Sequence, residues 1–178
     1  MKTSDYIYIA VSTALISICS WITIPTVVPF TLQLFGIFLT LGLLGGKRGT
    51  VSVLLYILLG IIGIPVFAGF GSGFGTIAGP LGGFILGFAV LALTVWFFEK
   101  FISSKHNIAP IISMIIGLIL CYLCGVIHFA AFYRLNGNPV SLTSAISTCV
   151  LPFLIPDMIK LFLATILFRR LRRHIVID

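Results

Sequence analysis

The stretch PIISMIIGLILCYLCGVIHFAAFY, residues 110–133, contains no aspartate, glutamate, lysine or arginine. A bilayer hydrocarbon core about 30 Å thick is crossed by roughly 20 apolar residues in a helix. This stretch is long enough to cross it. Its apolarity is continuous and not alternating, which excludes the pattern of a transmembrane β-barrel. The whole chain agrees, with 60% hydrophobic and 8% charged residues, where soluble domains carry roughly 25% charged. A chain of 178 residues has room for about five or six such spans. No separate soluble domain fits beside them, so residues 1–178 are expected to form a single all-α transmembrane domain.

Working outward from residues 110–133, further apolar runs cover about 6–24, 30–44, 50–64, 81–98 and 143–168. Between them lie Pro25 to Pro29, the connection Gly45-Gly46-Lys47-Arg48-Gly49, a glycine-rich stretch PVFAGFGSGFGTIAGP at 65–80, polar residues 103–107 and turn-rich residues 134–139. With six spans, the two termini and the second and fourth connections share one side. That side holds Lys2, Lys47, Arg48, Lys100, Lys105, Arg169, Arg170, Arg172 and Arg173, nine of the eleven basic residues. Arg134 lies opposite, and Lys160 is inside a span. Cytoplasmic loops collect Lys and Arg, so both termini are expected in the cytoplasm of a cell-membrane protein. The net charge of +7 thus records orientation, not a nucleic-acid surface.

Lys2 ahead of an apolar run resembles a secretory signal, but Asp5 spoils the basic region and Ile18 before Cys19 is too bulky for lipoprotein-type cleavage. A retained first helix is expected. Cys19, Cys121, Cys124 and Cys149 all fall in apolar runs. The CxxC of Cys121 and Cys124 lacks a second pair or a histidine cluster, so these cysteines read as packing residues and no metal site is expected. His128, alone in its span, reads as a hydrogen-bonded packing residue. Gly46-Lys47 lacks the flanking residues of a Walker A motif, and neither HExxH nor GxSxG occurs. The chain therefore has no means of its own to hydrolyse ATP.

The stretch LPFLIPDMIK, residues 151–160, places Asp157 and Lys160 in an apolar span. Each costs roughly 2.5–3.5 kcal/mol to insert near the bilayer centre. Spacing of three puts both on one helical face. Pro152 and Pro156 free carbonyls that need partners or a water-lined cavity. Two readings follow: an ion pair that locks helix packing, or the polar end of a binding pocket.

This segment resembles the last helix of the BioY family, the biotin-specific S-components of energy-coupling factor (ECF) transporters. The resemblance continues through Val28-Pro29-Phe30-Thr31-Leu32-Gln33, Gly45-Gly46-Lys47-Arg48-Gly49, Leu54-Leu55-Tyr56, Gly63-Ile64-Pro65-Val66-Phe67-Ala68-Gly69 and Gly79-Pro80-Leu81-Gly82-Gly83-Phe84, in matching order and spacing. Departures are Ile155-Pro156-Asp157 where the family usually reads proline-glycine-aspartate, Leu81 where threonine is usual, and Phe84 where tyrosine is common. Asp157 and Lys160 are kept.

The resemblance implies a six-helix S-component that captures biotin from outside. It also implies partners: a transmembrane coupling subunit and two ATPase subunits. No cofactor is expected, biotin being the transported ligand. An ionised Asp157 accepts hydrogen bonds only and suits the ureido N–H groups; Lys160 suits the ureido oxygen or the carboxylate. Phe30, Phe67 and Phe153 are candidate apolar walls, each equally suited to ordinary packing. Gln33 offers an amide contact or a helix–helix hydrogen bond. The glycine-rich stretch reads as an outward lid or a plain flexible connection. Ala10 and Ala14 form a small-xxx-small pattern, and in S-components an alanine-xxx-alanine motif on the first helix docks the coupling subunit. Lys47 and Arg48 suit that partner or anionic head groups. The rivals are a facilitator working without ATPases, an intramembrane enzyme using Asp157 and Lys160, and a structural membrane subunit.

Overall fold

The computed structural model describes residues 3–26, 28–101 and 109–172. Lys2, Lys105 and Arg173, together with the polar connection 103–107, lie outside the described residues. Helix α1 (Thr3–Trp21) is followed by two short strands, β1 (Thr23–Ile24) and β2 (Phe30–Thr31). They pair antiparallel, Thr23 with Thr31 and Ile24 with Phe30. The expected first span therefore ends about three residues early, and Phe30 sits in the hairpin ahead of its helix. Then come α2 (Gln33–Ile61), a single 3-10 turn (Ala68–Phe70), α3 (Phe74–Ala78), α4 (Gly82–Phe101), α5 (Ala109–Leu135), α6 (Leu142–Cys149) and α7 (Leu151–Leu171).

Helix α2 is central, packing on α1, α4 and α7, while α4 and α5 form a second closely packed pair. The core follows from that arrangement: Ile16, Ile37, Phe38, Val53, Leu91, Leu118, Ala164 and Phe168 are all buried. Hydroxyls cross the same seams. Thr13 donates to the Ser52 carbonyl at 3.2 Å and Thr50 to the Ala92 carbonyl at 2.9 Å. Where lipid offers no hydrogen-bond partner, such bonds satisfy polar groups inside the bundle.

The expected five-residue connection at 45–49 contracts to one residue. Gly45 alone leaves helical geometry inside α2, with φ 76° and ψ 176°, a conformation that costs glycine little. Residues 46–49 continue as helix. The Glu99 carboxylate accepts from the freed Gly46 N–H, and Arg48 Nε lies 2.9 Å from Asp5 Oδ1 on α1.

The expected span 143–168 is likewise interrupted. Val150, at φ −121° and ψ −54°, separates α6 from α7. Pro152 occupies the first turn of α7, where a missing N–H is harmless. Pro156 lies inside α7 and leaves the Pro152 carbonyl without its usual donor.

Among the described residues four helices, α2, α4, α5 and α7, are long and apolar enough to cross a membrane. Their outer faces are apolar too: Leu93, Phe97, Ile119, Ile127 and Phe162 are exposed. In water that surface would be a liability; in lipid it is the required one.

Candidate solute-binding site

Where the β1–β2 hairpin, the 65–80 stretch and the first turns of α2, α4 and α7 converge, the helices enclose a cavity of about 170 Å³. One ordered water needs only about 10–15 Å³, so this is no packing defect. Its walls are largely apolar, including Leu34, Phe67, Phe84, Ile85, Phe88 and Phe153. Val28, Pro29 and Thr31 line it from the hairpin, and Ala68 and Thr76 from the glycine-rich stretch.

Its polar end is built on α5 and α7. Asp157 is 1% exposed. Its Oδ1 accepts from Lys160 Nζ at 2.7 Å, and its Oδ2 accepts from the Tyr122 hydroxyl at 2.6 Å. The spacing of three on α7 brings acid and base together, as the sequence predicts. Tyr122 was not foreseen, because nothing in the apolar run of α5 marks which side chain faces α7. A carboxylate has about four acceptor positions, and among the described residues two of Asp157's are taken. Lys160 keeps two of its three N–H donors. All three side chains line the cavity.

Gln33 also lines it, and its Nε2 donates to the buried Tyr56 hydroxyl across the Gly45 break at 2.7 Å. Thus the helix–helix bond weighed for Gln33 exists while its amide still borders the cavity. Phe67 and Phe153 line the cavity; Phe30 is not among the lining residues. Instead its ring stacks on Phe153, centroids 4.2 Å apart, and so backs the wall.

The 65–80 stretch borders the cavity through Phe67, Ala68 and Thr76 and is held from α1. Trp21 Nε1 donates to the Pro65 carbonyl at 2.8 Å, the Ser20 hydroxyl donates to the Val66 carbonyl, and the Trp21 ring stacks on Phe70. Phe67 reaches inward only because residue 60 is glycine: a Cβ there would lie 2.0 Å from Phe67 Cζ. Phe70 adopts φ 61°, uncommon for a bulky residue.

Ala10 and Ala14 lie on the exposed face of α1, while Ser12 and Thr13 beside them are buried. His128 Nε2 is 2.9 Å from the Gly79 carbonyl, consistent with a hydrogen-bonded packing role. All four cysteines are free thiols; Cys19, Cys121 and Cys149 are buried. Among the described residues no group of three or more His, Cys, Asp or Glu could hold a metal.

Comparison with known proteins settles the family. The BioY family profile matches residues 1–176. The chain belongs to the BioY family. A biotin transporter BioY from Thermotoga maritima is 39% identical over 163 residues, covering 90% of this chain and 91% of the relative. A probable biotin transporter BioY from Pyrococcus horikoshii is 35% identical over 174 residues, covering 97% and 98%. The crystal structure of the S-component for biotin from an ECF-type ABC transporter superimposes with a TM-score of 0.82 at 30% identity, covering 97% of this chain and 95% of that one. BioY proteins are transporter components and not enzymes, which removes the intramembrane enzyme from the possible readings of Asp157 and Lys160.

Proposed function

We propose that this BioY-family protein is the substrate-capturing S-component of an ECF-type transporter and that its cavity takes biotin. The observation that carries the reading is the cavity whose one polar end joins Asp157, Lys160 and Tyr122. Two open acceptor positions on Asp157 match the two N–H groups of a ureido ring. Lys160's remaining donors match the ureido oxygen or the carboxylate, and the phenylalanine walls match the apolar bicycle. Phe30 contributes by holding Phe153 in place.

In this reading the Gly45 break turns α2 into two crossings, and α6 with α7 forms one. Together with α1, α4 and α5 this makes six membrane crossings, with the basic end and both termini in the cytoplasm. The cavity then opens outward and the 65–80 stretch is its lid. The exposed Ala10–Ala14 face of α1 receives a transmembrane coupling subunit, and separate ATPases power uptake.

The 2.7 Å Asp157–Lys160 contact also fits a pair that only locks the bundle. A lock needs no void beside it and no third partner, so the cavity favours capture. Equilibrium binding of the purified protein to a panel of vitamins tests this: biotin is expected to bind, and folded protein that binds none of them would restore the lock. Ala10→Trp is expected to keep biotin binding yet abolish most uptake in vesicles carrying the coupling subunits. Normal uptake would reject the docking face, and uptake without any ATPase would favour a solitary facilitator.

A further inference from the structure

Beyond the solute cavity, a second and larger void lies on the outside of the α4–α5 pair, a groove of about 560 Å³. Val90, Leu93, Thr94 and Phe97 recur at helical spacing on α4, and Ile116 and Leu120 face them from α5. The Thr94 hydroxyl is turned back to the Val90 carbonyl at 2.8 Å, so the groove walls offer no free polar group. At one end the character changes, for Trp96 and Lys100 border the groove there.

Lys100 is exposed in the last turn of α4 and has no ion-pair partner among the described residues. Its neighbour Glu99 forms no ion pair with it; that carboxylate accepts from the Gly46 N–H. The Trp96 indole, 39% exposed, is a donor with no hydrogen-bond partner among the described residues. The backbone of Gly46 packs against Trp96, a Cβ there falling 2.4 Å from the Trp96 Cα. The exposed Lys47 follows immediately, so a second cation stands at the same end of the molecule.

We infer that the groove is a binding site for one anionic phospholipid. An acyl chain lies between α4 and α5, and the phosphate is held by Lys100 and the Trp96 N–H, with Lys47 adding to the local positive potential. The parts are matched in kind. Apolar burial contributes along the chain, a cation and a donor N–H meet the anion, and indoles favour the head-group level of a bilayer. The inference needs membrane insertion only and does not depend on which solute the inner cavity takes.

The test is native mass spectrometry of the intact protein released from mixed micelles of phosphatidylglycerol and phosphatidylcholine. The parent is expected to retain one phosphatidylglycerol in preference to phosphatidylcholine. Lys100→Gln should cut that retention about fivefold and leave phosphatidylcholine unchanged, whereas Lys100→Arg should keep it. Equal retention of the two lipids by the parent overturns the site. So does undiminished retention in Lys100→Gln, or a lipid-free dimer showing that a second copy fills the groove. Should Lys100→Gln misfold, Trp96→Phe supplies the decision, since it removes the indole donor and keeps an aromatic ring, and undiminished phosphatidylglycerol retention there overturns the site.

Discussion

Asp5 and Asp157 are both buried carboxylates that grip a cation, Arg48 Nε at 2.9 Å and Lys160 Nζ at 2.7 Å. The first pair joins two helices, α1 and α2, beside the Gly45 break. The second lies within a single helix turn of α7 and joins nothing by itself. Asp5 does not border the solute cavity; Asp157 forms its polar end, and a tyrosine from α5 completes it. Identical chemistry therefore serves two ends. A carboxylate whose cation comes from another element ties the bundle together. The other pairs with a cation of its own helix, is reached from α5 by the Tyr122 hydroxyl, and faces the cavity.

That contrast is tested by exchanging charge for amide at each site. Asp157→Asn is expected to weaken biotin binding up to about 100-fold, because one charged acceptor oxygen becomes an N–H donor and a hydrogen bond worth about 1.5–3 kcal/mol is lost. Calorimetry on the purified variant measures it, and parental affinity would remove Asp157 from the site. Asp5→Asn should spare binding and lower unfolding stability by about 2 kcal/mol, below the full cost of breaking a buried pair because Arg48 is partly exposed. A loss of biotin affinity as large as that in Asp157→Asn would erase the distinction between the pairs. Tyr122→Phe should have the smallest effect, about a tenfold loss of affinity from one hydrogen bond to a charged group. In an Asp157→Asn background it should do almost nothing further, since the phenol acts through that carboxylate. Additive losses would mean that Tyr122 meets the ligand on its own.

The 65–80 stretch offers a different contrast, between expectation and packing. Five glycines in residues 65–80 suggest loose chain. Yet Trp21 and Ser20 at the end of α1 hold Pro65 and Val66 by hydrogen bonds, and Gly60 provides the space into which Phe67 folds. None of these partners lies in the glycine-rich stretch, so no local reading of it could reveal the anchors.

Much was determined by the amino-acid order alone. Continuous apolar runs dictate membrane helices because lipid leaves backbone groups no other partner. Charge asymmetry predicts orientation, and Asp157 with Lys160 stands out because charge in such a run is costly. Their mutual contact follows from a spacing of three on a helix. Only the tertiary structure decided that Tyr122 is the third member, that Phe30 supports Phe153 without bordering the cavity, and that α2 breaks at Gly45 and the last run at Val150. It also decided that Ala10 and Ala14 remain uncovered. Each of these depends on which face of one helix meets another. In α1, Ser12, Thr13, Ser17 and Ser20 mark the buried side; α4, α5 and α7 are apolar nearly all round, so there only packing reveals it.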